Sequence, residues 1–190
     1  MRNEILRHIF WLLIIVSWVF GVIYARWSNL PQEFFVEMSQ AVRVPNPFYF
    51  ENWWDPMLYF TLTVVAVFVL SQIFFGAGGV VFLFSRGVYD NSLIIEIEKS
   101  VKSWVFPDIY INEIFSVLLV CFVLLINLPL CMWAAHLGFQ RSIYLWHRLR
   151  GEPTKPETGL NPLSQLLLLI AISLMTGLIV ALILPYAQVS

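Results

Sequence analysis

The chain has 190 residues, 59 % of them hydrophobic and only 12 % charged, with a net charge of −1. Soluble domains average about 45–50 % apolar and about 25 % charged residues, so an ordinary soluble domain is excluded. The near-neutral balance also speaks against a nucleic-acid partner or a strongly basic membrane-surface protein. A hydrocarbon core about 30 Å thick needs roughly 20 apolar residues in a helix, and the charge-free stretches here approach or exceed that length. Together these features predict one integral membrane domain over 1–190. It would be an all-α, multi-pass transmembrane bundle of four or five spans in the cell membrane, with short amphipathic interfacial helices.

The first apolar run, Ile9–Ala25, follows Arg2 and Arg7 as a secretory leader would. It is long for a leader, and no small-x-small site precedes Arg26-Trp27, so it reads as a retained span with Trp11 and Trp27 at its interfaces. In the connection that follows, Phe34, Phe35, Met38 and Val42 fall at helical spacing after Pro31. This predicts a short amphipathic helix on the membrane surface, ended by Pro45 and Pro47. Trp53 and Trp54 read as interfacial anchors.

The second run, Met57–Ser85, has 29 residues and no charge. As one straight helix it would be about 44 Å long, more than a bilayer needs. Gly76, Gly78 and Gly79 follow Ser71 and Gln72, so a kink, break or turn is expected between Gln72 and Gly79. Freed backbone groups there must be covered by protein or water. The same glycines, with Gly87, also suit close helix packing. The spans would then be about 57–72 and 77–86, or one continuous helix. Residues Arg86–Glu113 read as a further amphipathic interfacial helix, with Ile94, Ile97, Val101, Trp104 and Val105 on one stripe and a Glu98–Lys102 pair. Arg86 is expected to snorkel or to pair with Asp90 one turn on.

The third run, 114–137, contains Asn127 and Pro129 and leads into a basic, aromatic tail ending at Arg150. Gly151–Pro162 reads as a loop, and 163–187 as the last span. If the glycine break makes two crossings there are five spans. With the N-terminus inside, the Arg141–Lys155 loop is then cytoplasmic, with six Lys/Arg inside and five outside. Four spans give equally even splits, so the positive-inside rule does not choose. The length of the glycine-interrupted run favours five.

No catalytic, cofactor-binding or metal site is expected. No H-E-x-x-H, G-x-S-x-G or P-loop pattern occurs, and the apolar runs hold no Asp or Glu. His136 and His147 share a helix face but lie about 16 Å apart along it, too far to hold one metal. Cys121 and Cys131 are separated by about 15 Å of helix, beyond the roughly 7 Å a disulfide allows. Gln72, Asn127 and His136 are the intramembrane polar residues of interest, read first as interhelical hydrogen-bonding groups.

The order of landmarks resembles the stage II sporulation protein M family of prokaryotic multi-pass membrane proteins. In that family an asparagine-containing segment precedes an apolar helix. A G-x-G stretch, an Asn-Gly dipeptide and a Leu-Pro segment leading to Gly and Arg follow. The counterparts here are Asn52, Gly76-Ala77-Gly78, Arg86-Gly87 (arginine in place of the asparagine), and Leu128-Pro129 through Ala134-Ala135 to Gly138 and Arg141. The resemblance covers about Phe50 to the C-terminus. It implies a non-enzymatic membrane component. Taken with the residues, it predicts a scaffold or subunit of a membrane complex, whose partners are the lipid bilayer and other membrane proteins or a homo-oligomer. The alternative is a small permease or transporter subunit, its path lined by the broken helix with Gln72, Asn127 and His136.

Overall fold

The computed structural model describes residues 2–28, 50, 52–103, 111–151 and 162–188. The surface helix expected over 31–45 lies outside them. Among the described residues there are five helices: α1 (Arg2–Trp27), α2 (Asp55–Ile73), α3 (Ala77–Ser103), α4 (Ile111–Leu149) and α5 (Pro162–Gln188). Four stretches are long and apolar enough to cross a membrane: His8–Trp27, Asp55–Ile73, Ile114–Leu149 and Leu163–Pro185. Their outer faces stay apolar: Leu12, Phe20, Leu125, Leu167 and Leu182 are all exposed. Apolar surface this extensive is unstable in water and matches a lipid surround.

The long second run does break. α2 ends at Ile73, and α3 begins at Ala77 after a tight turn in which Phe75 (φ 48°) and Gly76 (φ 89°) take left-handed backbone. The Gly76 amide closes the turn by donating to the Ser71 carbonyl (2.7 Å). The chain reverses there: Ser71 meets Gly79, and farther along Tyr59 meets Arg86. α2 and α3 are thus an antiparallel helical hairpin.

The other contacts fix the remaining directions. α3 runs parallel to α1, with Ser17 bonded to the Val80 carbonyl and Arg26 paired with Glu98. α4 runs parallel to α2, joined by Thr63–Asn127 and Ser71–Ala135. Gly177 of α5 meets Met57 at the start of α2. The connection from Arg150 to Leu163 is too short for any arrangement in which α5 is not antiparallel to α2. Successive helices therefore alternate in direction. One end of the bundle gathers the start of α1, the 74–76 turn, the end of α4 and the start of α5.

Two sequence expectations need correction. Residues 86–103 are not a separate interfacial helix but the continuation of α3, packed along α1. Glu98 accordingly bonds Arg26 across the helix pair at 3.0 Å. The reason is that Arg86 and Asp90 neutralise each other inside the bundle, so α3 need not leave it. Gly76 also lies in the turn, off the helix face that Gly79 and Gly87 were expected to share with it.

Glycines sit where helices touch. A Cβ on Gly87 would fall on the Trp18 carbonyl of α1, and one on Gly21 would fall on the Phe84 carbonyl of α3. Gly138 approaches Phe68 and Ser71 of α2, and Gly177 approaches Met57. At Gly79 the nearest atoms are instead side-chain ones, Ser71 at 3.0 Å and Ala135 Cβ at 3.2 Å. Backbone cannot yield as a side chain can, so the glycines should rank. Gly21→Ala and Gly87→Ala should each cost about 1–3 kcal/mol, the usual overpacking range. Gly76→Ala should also destabilise, through its positive φ, and Gly79→Ala should be the mildest. Thermal unfolding in detergent measures the order, and a neutral Gly87→Ala would contradict the α1–α3 contact.

Candidate functional site: a buried polar cluster

Arg86 stands in the tenth position of α3, roughly 14 Å from the turn at 1.5 Å per residue. That is about half of a 30 Å hydrocarbon core. A charge facing lipid there is costly, about 2.5–3.5 kcal/mol even on insertion scales. The side chain faces inward instead. Arg86 and Asp90 are only 5 % and 2 % exposed, and Nε meets Asp90 Oδ1 at 2.6 Å. The i,i+4 spacing places both on one helix face.

Three neighbouring helices complete the site. Arg86 Nη2 donates to the hydroxyl of Tyr59 on α2, whose ring centroid lies 5.1 Å from the guanidinium carbon. Trp18 Nε1 on α1 donates to the other Asp90 oxygen at 2.9 Å. Asn127 on α4 is fully buried, and its Nδ2 finds no hydrogen-bond partner among the described residues. Its Oδ1 accepts from Cys131 Sγ at 3.5 Å and is 3.1 Å from Thr63 Oγ1, which also reaches the Tyr59 carbonyl at 2.8 Å. A continuous chain of polar contacts thus runs Trp18–Asp90–Arg86–Tyr59–Thr63–Asn127 and ties α1, α2, α3 and α4 together. Tyr89 adds its ring 5.8 Å from Arg86. Its hydroxyl and the Oδ1 of Asn91 find no hydrogen-bond partner among the described residues.

The residues singled out from sequence separate. Asn127 is fully buried in this cluster. His136 lies nine residues on, about 13 Å along α4. There Nε2 is 2.7 Å from Gln140 Nε2, and the ring packs on Trp11 (5.0 Å) and Phe10 (6.1 Å). Gln72 is half-buried at the end of α2 beside Gly138. Asn127 is thus set apart from Gln72 and His136, which lie at one level of the α2–α4 pair. Gly76 serves the turn, Gly78 lies against the Leu70 carbonyl of α2, and Gly79 and Gly87 make the contacts described above. Trp18 and Tyr59 had not been singled out for the cluster. A Tyr and a Trp in apolar runs look like interface anchors, and only the tertiary arrangement puts Asp90 and Arg86 opposite their polar atoms. Both cysteines are free thiols, and no group of three His, Cys, Asp or Glu side chains suited to a metal occurs among the described residues.

Nearer the second end of α3, half-burial pushes the Glu96 carboxyl above the ordinary range, and Lys99 partly offsets this. Compared with protein-family models, with curated proteins and with solved structures, the chain matches none. What the fold and the cluster define is a helical bundle of membrane-spanning character held by an internal ion pair.

Removing one member of a buried pair strands the other charge, typically at a cost of about 3–5 kcal/mol, whereas an apolar replacement of both is much less harmful. Asp90→Leu and Arg86→Met should each sharply lower stability in detergent, and the double variant should recover most of the loss. A double variant no better than the sum of the singles would remove the coupling. Tyr59→Phe, which deletes one bond to a charged group, should cost about 1.5–3 kcal/mol.

Proposed function

We propose that this chain is a non-enzymatic scaffold or subunit of a membrane complex in the cell membrane. This is the role that its resemblance to the stage II sporulation protein M family implies. The observation that supports the reading is the set of polar bonds that cross between helices inside the bundle. Arg86 and Asp90 pair with each other and with Trp18 and Tyr59, and Asn127 bonds Thr63, all within a packed core. Polar residues at membrane depth that satisfy each other lock helices together, and a locked bundle presents a constant surface to a partner. The permease alternative needs Gln72, Asn127 and His136 at one path, and Asn127 is fully buried in the core about nine residues along α4 from the level of the other two.

Orientation follows from charge. Among the described residues, the end that carries the turn holds Arg2, Arg7, Arg141, Arg148 and Arg150 against Glu4. The opposite end holds, among the described residues, Arg26, Lys99 and Lys102 against Asp55, Glu96, Glu98 and Glu113. By the positive-inside tendency the turn end is cytoplasmic. With five alternating helices the C-terminus then lies on the far side.

Two measurements test this reading. In intact cells an impermeant thiol reagent should label Lys102→Cys and leave Lys155→Cys unlabelled; the reverse pattern would invert the orientation. Purification of the full chain in mild detergent should bring down a defined membrane protein, or a second copy, in fixed ratio. A lone chain that carries solute flux in proteoliposomes would favour the permease instead.

A further inference from the structure

The end of α4 takes no part in the polar cluster. α4 passes the 74–76 turn by about ten residues, roughly 15 Å. Along this extension Phe139, Ile143, Trp146 and Arg150 recur at helical spacing on one stripe. Phe139 anchors the stripe by stacking on Phe10 of α1, centroids 4.1 Å apart. Phe75, held in left-handed backbone at the turn, meets Trp146 edge-on at 5.6 Å. Phe75, Ile143 and Trp146 line an open apolar pocket of about 210 Å³. At its rim the Arg150 guanidinium lies 4.5 Å over the Trp146 ring.

Two things about this pocket point to its occupant. First, its walls are apolar aromatics that remain accessible, Phe75 at 52 % and Trp146 at 43 % exposed, at the end of the spanning bundle where amphipathic rings meet headgroups. Second, the cation stacked on Trp146 belongs to the end of the molecule where the described residues include five arginines and one acidic residue, Glu4. A ligand complementary to both has an apolar chain and an anionic head. Basic sites between helices at the cytoplasmic surface bind anionic headgroups in this way.

We propose that the groove between the turn and α4 is a binding site for an anionic phospholipid. An acyl chain lies against Phe75, Ile143 and Trp146, and the phosphate pairs with Arg150. The guanidinium can hold two phosphate oxygens at once, and its stacking on Trp146 orients it for them. Arg148 supplies the internal control. It is exposed, carries the same charge, and lies about 200° around the helix from Arg150 at 100° per residue, on the face away from the pocket.

The test uses the full chain in nanodiscs of equal phosphatidylglycerol and phosphatidylcholine, released into native mass spectrometry, with retained lipid counted. Wild type should keep one phosphatidylglycerol at least five-fold over phosphatidylcholine. Arg150→Gln and Trp146→Ala should bring the two lipids to within two-fold of parity, while Arg148→Gln should behave as wild type. Helicity and elution volume show that each variant is folded, and Arg150 stands beyond the last residue of α4, where its replacement leaves the helix intact. Equal retention of the two lipids by wild type would overturn the proposal. Equal losses in Arg148→Gln and Arg150→Gln would do so too, by showing diffuse attraction to the basic end. The readout is taken on the purified chain alone, so it stands or falls independently of any protein partner.

Discussion

An arginine and an aspartate in the middle of an apolar bundle constrain everything around them. Desolvating each ion costs several kcal/mol, and their mutual attraction offsets this only with close geometry and with hydrogen bonds to the remaining polar atoms. One helix cannot supply those bonds. α3 places Arg86 and Asp90 side by side, but Tyr59 of α2 and Trp18 of α1 complete their shells. The pair therefore requires α3 to be surrounded by other helices. It also requires those helices to approach closely, because an indole or a phenol reaches only a few ångströms from its backbone.

The glycines meet that second demand. Gly21 and Gly87 face each other's helices, so α1 and α3 come together at the level where Trp18 must reach Asp90. Gly138 does the same for α4 and α2, near the Ser71 hydroxyl that bonds the Ala135 carbonyl at 2.6 Å. In lipid there is no hydrophobic drive between helices, and close backbone contact with interhelical hydrogen bonds replaces it. The ion-pair cluster and the glycine contacts are two parts of one solution. The turn at 74–76 serves the same end by folding α3 back along α2, which brings Arg86 to Tyr59.

Much of this could be read from the residues. The four long apolar helices follow from hydropathy alone, and the break falls inside the expected Gln72–Gly79 window because length and glycine content both required it. Arg86–Asp90 pairing follows from i,i+4 spacing. What could not be read is the fate of residues 86–103. Their charges and amphipathic stripe are those of a surface helix, and only Trp18 and Tyr59, distant in sequence, make burial of the first turn tolerable. The packing roles of Gly21 and Gly177 were equally hidden, since a lone glycine in an apolar run carries no sign of its neighbour. Pro129 is the converse case. It lies within α4 without ending it, on an exposed face, so a proline in an apolar run is not by itself a helix end.

The placement of α3 also decides which face of the protein each loop occupies. Hydropathy alone counts four spans and would put both chain ends on one side. α3 is left out of that count because Arg86, Asp90 and the acidic residues beyond them lower its mean hydropathy. Those first two charges cancel within the bundle and are not seen by lipid. Counting helices by direction, α3 lies antiparallel to α2 and parallel to α1, so the ends of α4 and α5 exchange sides relative to a four-span reading. Only in the five-helix arrangement do the start of α1, the 74–76 turn and the basic end of α4 share one side. The aromatic pocket and Arg150 meet there because the turn and α4 reach the same surface. The buried pair thus acts at long range: by keeping α3 inside the bundle, it sets which charges gather at each end of the molecule.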